Sequence, residues 1–82
     1  MIEFNSASNL TLTIPANSSV AFPVGTQILI SRYGTGKVNV VITTDTLRSA
    51  SSNVYLASQY SGATLVKRTS TEWYLFGDLS AT

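Results

Sequence analysis

No stretch of this chain sustains a 3.6-residue apolar period for three turns. Its apolar residues instead alternate with polar ones in short runs, cut by turn signals about every 8–12 residues. Leu10, Leu12 and Ile14 alternate with Thr11 and Thr13, the period-2 signature of a half-buried strand. Pro15 to Ser19 interrupts that run, and Val20, Phe22 and Val24 form a second one, whose Pro23 marks an edge or a strand end. Thr26–Tyr33 and Lys37–Thr43 read as the next two strands. Between them Gly34-Thr35-Gly36 reads as a tight hairpin, because glycine accepts positive φ. Further strands are expected over Thr46–Ala50, Val54–Tyr60, Ala63–Arg68 and Trp73–Phe76, with turns at Thr44-Asp45, Ser51–Asn53, Ser61-Gly62 and Thr69–Glu72. The pattern predicts an all-β fold: a small antiparallel β-sandwich, jelly-roll-like or barrel-like, of about seven or eight short strands. Residues 1–82 form one domain, with the polar, pattern-poor residues 1–9 expected as an N-terminal arm reaching a neighbour.

A domain of 82 residues hides only about 60–65% of the surface its unfolded chain exposes. Small folds add a disulfide, a metal or a partner subunit. The chain has no Cys and no His, so oligomerisation is the remaining staple. Ile28-Leu29-Ile30, Val40-Val41-Ile42 and Trp73-Tyr74-Leu75-Phe76 are apolar on both faces. A sandwich buries one face of each sheet. Strands apolar on both sides need a second cover, and a subunit interface supplies it. The expected state is therefore an obligate homo-oligomer.

The chemistry of catalysis is sparse. Without His or Cys no Ser/His/Asp or Cys/His arrangement can form, and paired-carboxylate work would need two of Glu3, Asp45, Glu72 and Asp78 to converge. Each lies in or beside an expected turn or terminus, where solvated carboxylates are ordinary. No catalytic residue, cofactor or metal ligand is assigned. Asp45 among Thr43, Thr44 and Thr46 matches no dense calcium loop. Gly34-Thr35-Gly36-Lys37 fails as a phosphate-binding loop. Ser31 stands where the leading Gly belongs, Val38 follows the Lys, and a strand follows where a helix should start.

A net charge of +1, with Lys67, Arg68 and three scattered basic residues, gives no field for nucleic acid; these are expected as solubilising charges on strand faces and turns. Apolar runs fall far short of the ~20 residues of a membrane span, and no basic segment followed by an apolar one opens the chain as a secretion signal would. Asn9-Leu-Thr11 and Asn17-Ser-Ser19 match glycosylation sequons, a pattern frequent by chance in Ser/Thr-rich chains. The candidates for an interface or a recognition surface are aromatic: Trp73, Tyr74, Phe76, Tyr33, Tyr55 and Tyr60. Trp73, beside Leu75 in mid-strand, reads as packing, and Tyr33, beside the glycine turn, as the most exposed.

Two blocks resemble a known kind of module. One is Ile14-Pro-Ala-Asn-Ser-Ser-Val-Ala-Phe-Pro-Val-Gly-Thr-Gln-Ile28, followed by the Gly-Thr-Gly turn and a Val-rich strand. The other is Gln59-Tyr-Ser-Gly-Ala-Thr-Leu-Val-Lys67, closing with Glu72-Trp73 and Phe76-Gly-Asp-Leu79. Together, from about Leu10 to Leu79, they resemble the small β-modules of tailed-bacteriophage virion proteins. Thr44-Asp45-Thr46 stands where that pattern often has a Gly. The resemblance implies a virion protein, assembled in the host cytoplasm, homotrimeric about a three-fold axis and without catalytic residues. A chain running from Met1 to Thr82 without a linker fits a capsid decoration (cement) protein, whose partners are its own copies and the capsid proteins. The alternative is a tail-fibre module that binds a glycan of the host surface.

Overall fold

The computed structural model describes residues 1–82, and its nine strands form two facing sheets. The strands are β1 (Ile2–Phe4), β2 (Leu10–Ile14), β3 (Gln27–Arg32), β4 (Val38–Ile42), β5 (Thr46–Ser49), β6 (Tyr55–Leu56), β7 (Gly62–Thr69), β8 (Glu72–Gly77) and β9 (Leu79–Ser80), with a single 3₁₀ turn at Ala50–Ser52. One sheet has the order β1-β3-β7-β8-β5, the other β2-β4-β6-β9. The all-β architecture expected from the alternation is present, and the sheets do not close into a barrel.

Both sheets are mixed, where an antiparallel sandwich was expected. β1 runs parallel to β3, β2 to β4, and β5 to β8. The chain alternates between the sheets strand by strand, leaving the pattern only at the β7–β8 hairpin. A return from the other sheet can bring the chain back in the same direction, which is what a parallel neighbour requires, while β3–β7, β4–β6, β6–β9 and the β7–β8 hairpin pair antiparallel. Residues 2–14 lie beside residues 30–42 at one offset: Ile2 faces Ile30, Phe4 faces Arg32, Leu10 faces Val38 and Ile14 faces Ile42. The two segments cross from sheet to sheet together. Ile2–Phe4, within the stretch expected as an arm, thus form the edge strand of their own five-stranded sheet.

This double crossing corrects the expected Gly34–Gly36 hairpin. β3 and β4 lie in different sheets and do not pair. Neither Gly34 nor Gly36 has positive φ. Gly34 N–H donates to the Phe4 carbonyl at 3.1 Å and Gly36 N–H to the Ser6 carbonyl at 2.8 Å. A Cβ on Gly34 would collide with the Ser6 backbone, and one on Gly36 with the Ser8 carbonyl. The glycines are there for close backbone approach, the other use of a missing side chain.

Two further expected strands are corrected. Val20–Val24 is not a strand: the chain turns back at Ala16–Val20, where Ser19 and Val20 N–H donate to the Ala16 carbonyl. Pro23 offers no donor, Val20 and Val24 are exposed, and only Phe22 packs inward. Val54–Tyr60 shrinks to the two residues of β6, because Ser58–Ser61 forms a tight turn with Tyr60 at φ +71°.

The core lies between the sheets. Trp73, Leu65, Leu75 and Ile30 come from the five-stranded sheet, and Ile14, Val38, Val40 and Leu56 from the other. Phe22 meets Trp73 edge-on, with ring centroids 5.7 Å apart. Only 14 of 82 residues are buried, so the inner faces fill with few side chains to spare.

Candidate functional site

The six aromatic candidates separate into three groups. Trp73 is 1% exposed and belongs to the core, which removes it from any recognition surface. Tyr55, on β6, is half-buried in the four-stranded sheet beside Asn39, its register partner. The other four form two pairs at different places, in which Phe76, Tyr33 and Tyr60 are exposed and Tyr74 is half-buried.

The first pair stands on the outer face of the five-stranded sheet. Alternation on β8 turns Trp73 and Leu75 inward and Glu72, Tyr74 and Phe76 outward. Tyr74 and Phe76 stack with centroids 5.0 Å apart at 30°. Register places Phe76 across from Thr64, which faces Leu29, and places Tyr74 between Val66 and Arg48. Leu29 is 57% and Phe76 53% exposed. Phe76 forms a ridge between two shallow grooves of about 370 Å³ each, one floored by Leu29 and Thr64, the other by Ala50 and Leu79. Arg68 lies 5.9 Å from the Tyr74 ring centre, within reach of a cation–π contact.

An ion-pair cluster borders this face. Glu72 accepts from Arg48 Nε and from Arg68 Nη1, each at 3.0 Å. The Arg48 hydrogen bond holds the Glu72 carboxyl below its ordinary value, against a smaller opposing effect of partial burial, and the nearby Arg68 charge adds to the lowering.

The second pair sits in loops. Tyr33 and Tyr60 meet edge-to-face at 5.6 Å and are 52% and 71% exposed. Tyr60 is held in the left-handed region by its surroundings. Its N–H donates to the Arg32 carbonyl, and Gln59 Nε2 donates to the Tyr33 carbonyl at 3.0 Å. Ser61, almost fully buried, receives the Ser58 N–H at 3.0 Å and donates to Asp78 Oδ2 at 2.8 Å. The turn that presents Tyr60 is thereby tied to the start of β9.

The carboxylates are dispersed. Glu72 lies between two arginines, Asp45 accepts the Asn17 N–H, and Asp78 accepts Ser61. The carboxamides of both sequons point to internal partners: Asn9 Oδ1 accepts the Lys37 N–H, and Asn17 Oδ1 accepts from Lys67.

Lys67 overturns its expected place among the surface charges. It is 1% exposed, and Nζ donates to Asn17 Oδ1 and to the Phe22 carbonyl, each at 2.7 Å. The signal was in the alternation. Ala63, Leu65 and Lys67 share the inward parity of β7, and Lys67 faces Trp73 across the hairpin. Arg32 follows the parity of Ile28 and Ile30 in the same way. It is half-buried, reaching the Thr35 carbonyl at 2.7 Å, with its Nε unpaired.

Comparison with family models, with curated proteins and with solved structures found no match to the chain. The likeness to virion modules thus rests on the two sequence blocks alone. No helix is long and apolar enough to cross a membrane.

Proposed function

We propose that this protein is a non-enzymatic structural module of a tailed-phage virion, a decoration protein that binds the head surface as a homotrimer and stabilises it. The observation that carries this reading is the outer face of the five-stranded sheet. Leu29 and Phe76, with Tyr74 and Val66 beside them, form an apolar row on a face with no element of its own chain above it. Large apolar side chains gathered on one sheet face favour association. The arginines around Glu72 give that patch a polar rim. Subunit contacts of modest strength, repeated over a head surface, add up through multivalency.

Antibody labelling of intact particles, imaged by electron microscopy, tests the location. Label spread over the head supports decoration, and heads that burst no more easily without the protein would refute it. Label on no particle would remove the virion role itself.

A second reading has its own observation, the Tyr33–Tyr60 pair. Two exposed rings at 73° to each other, fixed by a strained and cross-tied turn, suit a glycan, because aromatic faces pack against sugar rings. In a tail-fibre module, Tyr33→Ala or Tyr60→Ala would abolish adsorption to the host while leaving assembly intact. Unchanged adsorption in both variants would dismiss the glycan role.

A further inference from the structure

Lys67 is an amine placed where amines are costly. Its side chain points from β7 into the core, and no carboxylate lies within ion-pair distance of Nζ. A buried ammonium is normally paired with an acid. Here the side-chain partner is a carboxamide, Asn17, whose Oδ1 accepts from Nζ at 2.7 Å, and the Phe22 carbonyl takes a second hydrogen bond at 2.7 Å. The Trp73 ring lies 5.9 Å from Nζ, and the Phe22 ring closes edge-on against it. Asp45 Oδ2 accepts the backbone N–H of Asn17 at 2.8 Å, so the carboxamide-bearing residue is itself held in place. Three segments far apart in the chain converge here: the β2–β3 loop, the β4–β5 turn and the middle of β7.

We propose that Lys67 and Asn17 become joined by an intramolecular isopeptide bond, formed after folding brings them together. The neutral Nζ attacks Cγ of Asn17, and the charge that develops on Oδ1 collapses to break the bond from Cγ to the side-chain nitrogen. That nitrogen takes the proton that Nζ gives up and leaves as ammonia. An amine and a primary amide become a secondary amide and ammonia, with no oxidant, metal or nucleotide needed. The proton passes directly between the two nitrogens, and Asp45, whose Oδ2 accepts the Asn17 backbone N–H at 2.8 Å, is assigned the positioning of residue 17.

The surroundings fit this chemistry. Contact between the reacting groups in the folded chain replaces a chance encounter by a held one, a large advantage for a slow acyl transfer. The aromatic walls keep out water, which would compete as a nucleophile. The bond would tie residues 50 apart in sequence. That is the covalent staple a small core without cysteine lacks, and it acts as a disulfide does by constraining the unfolded chain.

The intact mass of the purified full chain, measured after denaturation, tests this directly. The expected result is a mass lower than that of the sequence by one ammonia, together with a branched peptide joining residues 17 and 67 after proteolysis. Asn17→Ala, which keeps the lysine, is expected to show its unmodified sequence mass. An unreduced wild-type mass overturns the proposal. So does an ammonia loss carried on a linear peptide, since Asn17-Ser18 can lose ammonia by succinimide formation. Asp45→Ala, folded by circular dichroism, is expected to lose the branched peptide. If it cross-links as fully as wild type, the role given to Asp45 falls.

Discussion

At the scale of single residues, Trp73 and Glu72 show how position on one strand decides what a side chain does. They are adjacent on β8 and face opposite ways. Trp73 fills the centre of the core against Phe22 and Lys67. Trp73→Ala should cost about 3–5 kcal/mol, the usual range for emptying an aromatic core site, read from denaturant unfolding. Glu72 faces outward between two arginines, and its folded value is depressed. A depressed carboxyl stabilises the fold above its unfolded value and loses that contribution as pH falls through the folded one. The window therefore opens near the ordinary value of 4.5 and runs downward. Glu72→Gln should be less stable than wild type at neutral pH, with the gap closing below that window. Thermal melts across the acid range check the sign, and a gap that widens in acid would contradict it.

Individual elements were legible in proportion to how local their causes are. β2 follows from alternation, its period being written into consecutive residues, and β3, β4, β7 and β8 follow from short runs rich in β-branched, apolar and aromatic residues bounded by turn signals. Phe22 was misplaced because one buried ring in a loop looks, in sequence, like the middle of an alternating run. β1 was invisible as a strand. Three residues carry no period, and its reason for existing is β3, far along the chain. The Gly34–Gly36 error has the same origin: a hairpin is a local explanation for two glycines, while the true cause, the backbone of Ser6 and Ser8, is remote. Among the aromatic candidates, burial withdraws Trp73 into the core, and the grouping of Tyr74 with Phe76 and of Tyr33 with Tyr60 depends on register and turn geometry. Gly36→Ala tests the remote cause. Its methyl would displace the Ser8 carbonyl, costing about 1–3 kcal/mol as overpacking does. The loss should appear as faster amide exchange at Tyr33, outside the turn, whose N–H is bound by the Phe4 carbonyl. A hairpin turn would instead lose protection within residues 34–37 alone.

For the whole molecule the question is what covers the five-stranded sheet. The inner face is served by the opposite sheet, and the outer one carries exposed Leu29 and Phe76 beside half-buried Val66 and Tyr74, with no further strand or helix of this chain over them. Full burial of a large apolar side chain is worth about 1.5–3 kcal/mol. Leu29 and Phe76 are each a little over half exposed, so about half of that gain is still to be had from each on association. Leu29→Ser with Phe76→Ser would then weaken each contact by about 10- to 100-fold. Because both side chains already face water, the fold itself should change little. Light scattering at micromolar concentration should give a multimer for wild type and a monomer for the double variant, with matching circular dichroism. A wild-type monomer would refute self-association through the apolar face. If the double variant instead stays multimeric, association runs through the sheet edges, where β1, β5, β2 and β9 each leave one side unpaired.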